Sequence, residues 1–176
     1  PGDPSFNGTF TVTDGSYRQL LFESLEGDCR LAHIPDSVSG QLSLDLRRLR
    51  YGELAMDSLL VDGTIPGPGA IEFHPLLLAV DSNRVLTAAG SYSAPPEDRS
   101  DTVHLRLDSL HVMFHGQHVG SLGPMDLFYA ADTVWFPDGK FSVLGGSVTG
   151  AAAFSGADWM SLRADLAGID LRQLPA

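Results

Sequence analysis

The sequence predicts a mainly β fold, an antiparallel meander, and three observations carry that expectation. Apolar and polar residues alternate with period two through most of the 176 residues, so each segment turns one side to a core and the other to water. Dipeptides suited to tight hairpins interrupt the alternation at short intervals. The longest unbroken apolar run, Leu76 to Val80, falls far below the roughly 18 residues of a membrane-spanning helix. The length suits one domain, read as 1–176. Because it starts at Pro1, the chain reads as a piece of a longer protein.

Phe10 and Val12 open the pattern. Ser16 and Gln19 have the spacing of a capping box before Leu20, Leu21 and Leu25, which gives that segment a helical alternative, although hairpin context favours a strand. Gln41 to Arg47 is the clearest strand: Leu42, Leu44 and Leu46 face one way, Ser43, Asp45 and Arg47 the other. Leu54/Met56, Leu76/Leu78/Val80 and Leu86/Ala88 follow. Thr102 to Asp108 turns Val103, Leu105 and Leu107 inward against His104, Arg106 and Asp108, and Leu110, Val112 and Phe114 continue after a slip. Met125/Leu127/Tyr129, Val148/Gly150/Ala152/Phe154 and Met160/Leu162/Ala164/Leu166 bring the total to roughly a dozen strands. Asp158 could cap a helix over Trp159 to Leu166 instead, and Asp170 reads as the N-cap of a short terminal helix.

Asp14-Gly15, Asp62-Gly63 and Asp138-Gly139 are the expected hairpin turns. Pro66-Gly67-Pro68-Gly69 and Ala94 to Ser100 read as longer loops, the second dividing the chain near its middle. A faint repeat joins Glu23-Ser24-Leu25, Asp57-Ser58-Leu59 and Asp108-Ser109-Leu110, each at the end of an alternating run.

Charge narrows the partners. With 22 acidic against 11 basic side chains, a net charge of −11 and Lys140 as the sole lysine, the chain is unsuited to nucleic acid, whose binding relies on cations that displace phosphate counterions. The same sign disfavours docking on anionic headgroups through a basic face. Cys29 is alone, so no internal disulfide or cysteine-rich zinc site forms.

Catalytic chemistry finds little footing. His111, His115 and His118 would share a helical face, but in an extended context they read as exposed strand histidines. Gly145-Gly146-Ser147-Val148-Thr149 lacks the final glycine of a nucleophile elbow. Cys29 reads as a small buried residue, and Glu26/Asp28 and Asp57/Asp62 as solvated carboxylates. Trp135 and Trp159 could stack a sugar only from one shared exposed face. No catalytic residue, metal or cofactor is expected.

Ser39-Gly40-Gln41-Leu42-Ser43-Leu44-Asp45-Leu46, Leu49 to Leu54, and Met56-Asp57-Ser58-Leu59 resemble the repeating strands of TamB and the wider AsmA-like group. So do Asp138-Gly139-Lys140-Phe141, Gly145 to Gly150 and Gly168 to Leu174. The alternation alone leaves open whether the apolar side is capped by a second sheet, as in a closed β-sandwich, or stays open. The resemblance implies the second: a sheet curled lengthwise into an elongated trough, apolar inside. It further implies a non-catalytic conduit for phospholipid acyl chains in the periplasm, between inner and outer membranes, anchored in the inner membrane by a segment outside these residues. Support of outer-membrane protein assembly, through an outer-membrane β-barrel partner, is also implied. The lining residues are then Leu42, Leu44, Leu46, Leu54, Met56, Val103, Leu105, Leu107, Val112 and Phe114. The alternative is a carbohydrate-binding or adhesive β-sandwich carrying Trp135 and Trp159 on a ridge.

Overall fold

The structure, a computed structural model, describes residues 4–17, 20–34, 37–94, 102–130, 132–155, 159–170 and 172. Twelve strands account for nearly all of them: β1 (Ser5–Tyr17), β2 (Leu20–Ala32), β3 (Ser39–Tyr51), β4 (Leu54–Gly67), β5 (Ala70–Asp81), β6 (Arg84–Ser93), β7 (Val103–Phe114), β8 (Gln117–Ser121), β9 (Met125–Ala130), β10 (Thr133–Val143), β11 (Gly146–Ser155) and β12 (Trp159–Ala167). Both segments with a helical alternative, Leu20 to Leu25 and Trp159 to Leu166, are strand. Among the described residues no helix is long and apolar enough to cross a membrane.

All twelve strands form one antiparallel sheet in chain order. β8 and β9 occupy one place in it end to end, since each pairs with both β7 and β10. Among the described residues no strand packs extensively on any strand but its hydrogen-bonded neighbours, no large side chain is fully buried, and large apolar groups such as Phe6, Phe154 and Leu162 are exposed. The described residues therefore form no second layer and no closed sandwich: the sheet is an open trough. The accessible surface is 11567 Å² for 18.8 kDa. A compact monomer of that mass would expose roughly 8,300 Å².

Turn chemistry is where the sequence reading needs most correction. Asp14-Gly15, Asp62-Gly63 and Asp138-Gly139 all lie inside strands, at breaks in the ladder and not at hairpins. Of the three pairs, Asp14-Gly15 uses the tolerance of positive φ, Asp14 having φ 52°, whereas Asp62-Gly63 and Asp138-Gly139 sit at their breaks without a positive φ. The acids of the faint repeat behave alike. Glu23 and Asp57 fall where cross-strand pairing lapses, and Asp108 is the extra residue where β7 slips against β6.

The hairpins lie elsewhere. His115-Gly116 and Leu144-Gly145 carry positive φ at both central positions, the geometry whose twist suits a two-residue hairpin. Gly52-Glu53, Pro68-Gly69 and Ser82-Asn83 close the β3–β4, β4–β5 and β5–β6 hairpins. The stretch 66–69, read as a loop, is thus the end of β4 plus a tight turn. The mid-chain loop falls mainly outside the described residues, but β6 and β7 on either side of it pair directly. The terminal helix also falls mainly outside them; Asp170 Oδ1 accepts the Arg172 amide at 3.1 Å, as a cap would.

The best-buried cluster is Phe73, Ala88, Leu107 and Met125, from β5, β6, β7 and β9. Phe73 pairs with Gly63 on one side and Gly90 on the other, two positions where a Cβ would run into neighbouring backbone, Glu72 O at 2.6 Å and Arg106 O at 2.0 Å. Phe10 covers Gly27: a Cβ there would fall 2.2 Å from the ring. Among the described residues no large side chain is fully enclosed, as a one-layer sheet requires.

Candidate functional site

Residues directly opposite in an antiparallel ladder share a face. One such row runs Phe10, Gly27, Leu44, Val61, Leu76, Ala88, Leu110 from β1 to β7. It continues on the same side as Val103, Tyr129, Val134, Phe154, Met160 to β12. Neither row contains a charged residue. The reverse face reads Thr11, Glu26, Asp45, Leu60, Leu77, Thr87, His111, Gly120, Ser142, Ser147 across the width. Period-two alternation, held in register by the hairpins, has kept charged groups off these apolar rows, while the reverse face mixes acids and hydroxyls with Leu60 and Leu77.

Leu42, Leu44 and Leu46 lie on the apolar floor, opposite Cys29, Gly27 and Leu25. Val103, Leu105 and Leu107 face Tyr129, Leu127 and Met125 on the same floor, and Val112 sits between Leu86 and Val119. Leu54 and Phe114, exposed by 51% and 55%, belong to the rim at hairpin ends, not to the floor. Met56 pairs with Leu49 beyond a bend and lines a separate cleft. Cys29 is buried.

That bend is at Arg48, whose φ is 49° inside β3. A left-handed residue breaks the alternation, so Leu46 and Leu49, three positions apart, are both buried. Arg48 is tied back to Glu23 of β2 by an ion pair. The curl of the sheet is visible in Tyr129. Its phenol is pushed above the ordinary tyrosine range, first by donating a hydrogen bond to Asp132, then by that carboxylate's charge and by burial, and last by Tyr51 at the end of β3. Curling brings β3 and β9, far apart in the meander, within electrostatic reach.

The polar face carries its own features. His104, Phe128 and Trp135 stack face to face across β7, β9 and β10, with ring centroids 4.9 and 5.5 Å apart. His104 Nε2 meets Asp126 Oδ1 at 2.7 Å. Trp159 lies on the same face, since it pairs through Ser155 with Thr133, two residues before Trp135. Ser43 donates to Asp62 at 2.6 Å, in a hollow shared with Asp28. His111 and His118 are on this face, but His115 is in a turn and not in the strand. Among the described residues no three His, Cys, Asp or Glu side chains are placed to hold a metal ion.

The sequence reading missed the cleft at the β3–β4 and β5–β6 hairpin ends, lined by Arg48, Leu49, Arg50, Met56, Asp57 and Arg84. The signal available was the crowding of Arg47, Arg48 and Arg50 in an otherwise acidic chain. Known protein-family models, curated proteins and solved structures contain no match to this chain.

Proposed function

We propose that the chain is a non-catalytic conduit for phospholipid acyl chains, a stretch of a TamB/AsmA-like trough in the periplasm between inner and outer membranes. The single observation that supports this reading is the uncharged apolar floor running from β1 to β12 with no second layer over it. Removing a sixteen-carbon chain into water would cost on the order of 12 kcal/mol, at about 0.8 kcal/mol per methylene. A floor with no polar interruption cancels that barrier along its length, while the headgroup stays in water. Inner-membrane anchoring and an outer-membrane β-barrel partner belong to this reading through regions outside these residues.

The test is photo-crosslinking from a photoreactive residue at Val61 in the presence of phospholipid. Leu44→Arg and Leu105→Arg should abolish lipid capture, and Asp45→Arg, on the reverse face, should leave it unchanged. Equal effects from all three would overturn the reading. A second reading, carbohydrate binding by the reverse face, is favoured by Trp135 and Trp159 lying on one side beside the His104/Phe128 stack. Glycan binding lost in Trp135→Ala but kept in Leu44→Arg would select it.

A further inference from the structure

We infer that the cleft between the β3–β4 and β5–β6 hairpins receives the headgroup of a zwitterionic lipid that carries both a phosphate and a primary ammonium. The inference rests on the acyl-chain reading above and adds to it a place where the head is recognised. Four observations carry it.

The cleft, about 470 Å³, is lined by three of the chain's 11 basic residues, Arg48, Arg50 and Arg84, although the molecule as a whole carries −11. Two of the three are already committed. Arg48 is held by Glu23, and Arg84 by Asp81 through its Nε at 2.8 Å. Arg50 is uncommitted: among the described residues it has no ion-pair or side-chain hydrogen-bond partner. Its planar guanidinium is the donor set that binds phosphate oxygens in pairs.

An uncommitted anion lines the same cleft. Asp57 likewise has no such partner among the described residues. Arg50 pairs with Ala55, so Asp57, two residues on, is its diagonal neighbour, about 7–8 Å away at the backbone. Two opposite charges at diagonal positions that do not pair with each other leave a space. A ligand with an anion and a cation a few bonds apart can bridge it, the phosphate on Arg50 and the ammonium on Asp57. A purely anionic head would meet Asp57 unfavourably, and a quaternary ammonium would offer it no N–H donor.

The backbone supports a built site. Arg48 holds a left-handed φ of 49°, a conformation unfavourable for a non-glycine residue and concentrated at functional positions. Finally, Met56 and the buried Leu49 line the cleft beside the charged groups, so a chain attached to the head meets apolar side chains at the cleft wall.

The experiment is native mass spectrometry of the chain mixed with equal amounts of phosphatidylethanolamine, phosphatidylglycerol and phosphatidylcholine of identical acyl composition. The wild type should retain phosphatidylethanolamine over each of the others by about two- to fivefold, the range expected of partly exposed charge contacts. Asp57→Lys should reverse the preference toward phosphatidylglycerol, and Arg50→Glu should remove it. Both variants should still capture lipid, because the floor is untouched. Equal lipid distributions in wild type, Arg50→Glu and Asp57→Lys, with capture intact, would overturn the headgroup site alone. Loss of capture in Leu44→Arg marks the separate acyl-chain reading, and persistence of capture there would overturn that reading. A third arm adds millimolar inorganic phosphate. Retention of the phosphatidylethanolamine preference supports a lipid head, and loss of that preference to inorganic phosphate would assign the cleft to a soluble phosphate and overturn the lipid assignment.

Discussion

At the scale of single residues, the acids of this chain do different jobs according to what the ladder places beside them. Asp45 stands directly opposite Glu26, a like-charge pair relieved by Arg47, which donates to Asp45 Oδ2 at 2.6 Å. Asp81 is the opposite case. Hydrogen bonds from the Arg84 side chain, and then from the Asn83 amide, hold its carboxyl below the ordinary aspartate value of 3.8. A depressed folded-state pKa adds stability that is complete above 3.8 and is lost as pH falls below it through the folded value. Asp81→Asn should therefore lower the urea midpoint at pH 7, and the gap from wild type should narrow steadily below pH 3.8. A gap of constant size from pH 7 to the acid limit would mean that the carboxylate charge contributes nothing to the β5–β6 turn.

At the scale of elements, strands were legible and their joints were not. Leu42, Leu44 and Leu46 declare a strand by spacing alone, and the ladder confirms their shared face through Cys29, Gly27 and Leu25. Asp62-Gly63 and Asp138-Gly139 mislead because glycine serves close approach as well as turns: neither dipeptide holds a positive φ, but a Cβ at Gly63 would fall 2.6 Å from Glu72 O and one at Gly139 3.0 Å from the Phe141 ring. Leu144-Gly145 was overlooked because leucine rarely adopts φ 48°, and the paired strands impose that geometry on it. Within the candidate site, the floor residues could be read from period two. The Arg50/Asp57 cleft could not, because it arises from hairpins that splay beyond the last β4–β5 pair at Ser58 and Ala79. The bend that opens it gives a prediction. Arg48→Gly relieves a left-handed conformation costing about 1–2 kcal/mol, while the lost Glu23 ion pair, more than half exposed on both sides, is worth little. Glycine's greater freedom in the unfolded chain offsets part of the gain. Chemical denaturation should find Arg48→Gly as stable as wild type or up to about 1 kcal/mol more so, whereas Glu23→Ala, which keeps the strain, should not gain.

At the scale of the whole molecule, one surface decides both stability and function. A trough that keeps its floor open for hydrocarbon forgoes the burial that a second sheet would supply. Its unfolded chain would expose roughly 27,000 Å², so folding buries about 58% of that area, near the value for a domain a third of its length and well short of the roughly 70% usual at this size. The sheet is held by its ladders, with aromatic rings laid over glycines to keep the floor continuous, and by few enclosed side chains. Denaturant sensitivity scales with the area exposed on unfolding. The urea m-value should therefore be about one-sixth below that of a compact protein of equal length. Adding phospholipid should raise the midpoint, because a ligand that binds only the folded state stabilises it. The same floor should bind an environment-sensitive apolar dye in the native state, and Leu44→Arg should weaken that binding more than Asp45→Arg does. An m-value of ordinary size together with a native state that excludes the dye would mean that the floor is covered in solution, and acyl chains would have no path along it.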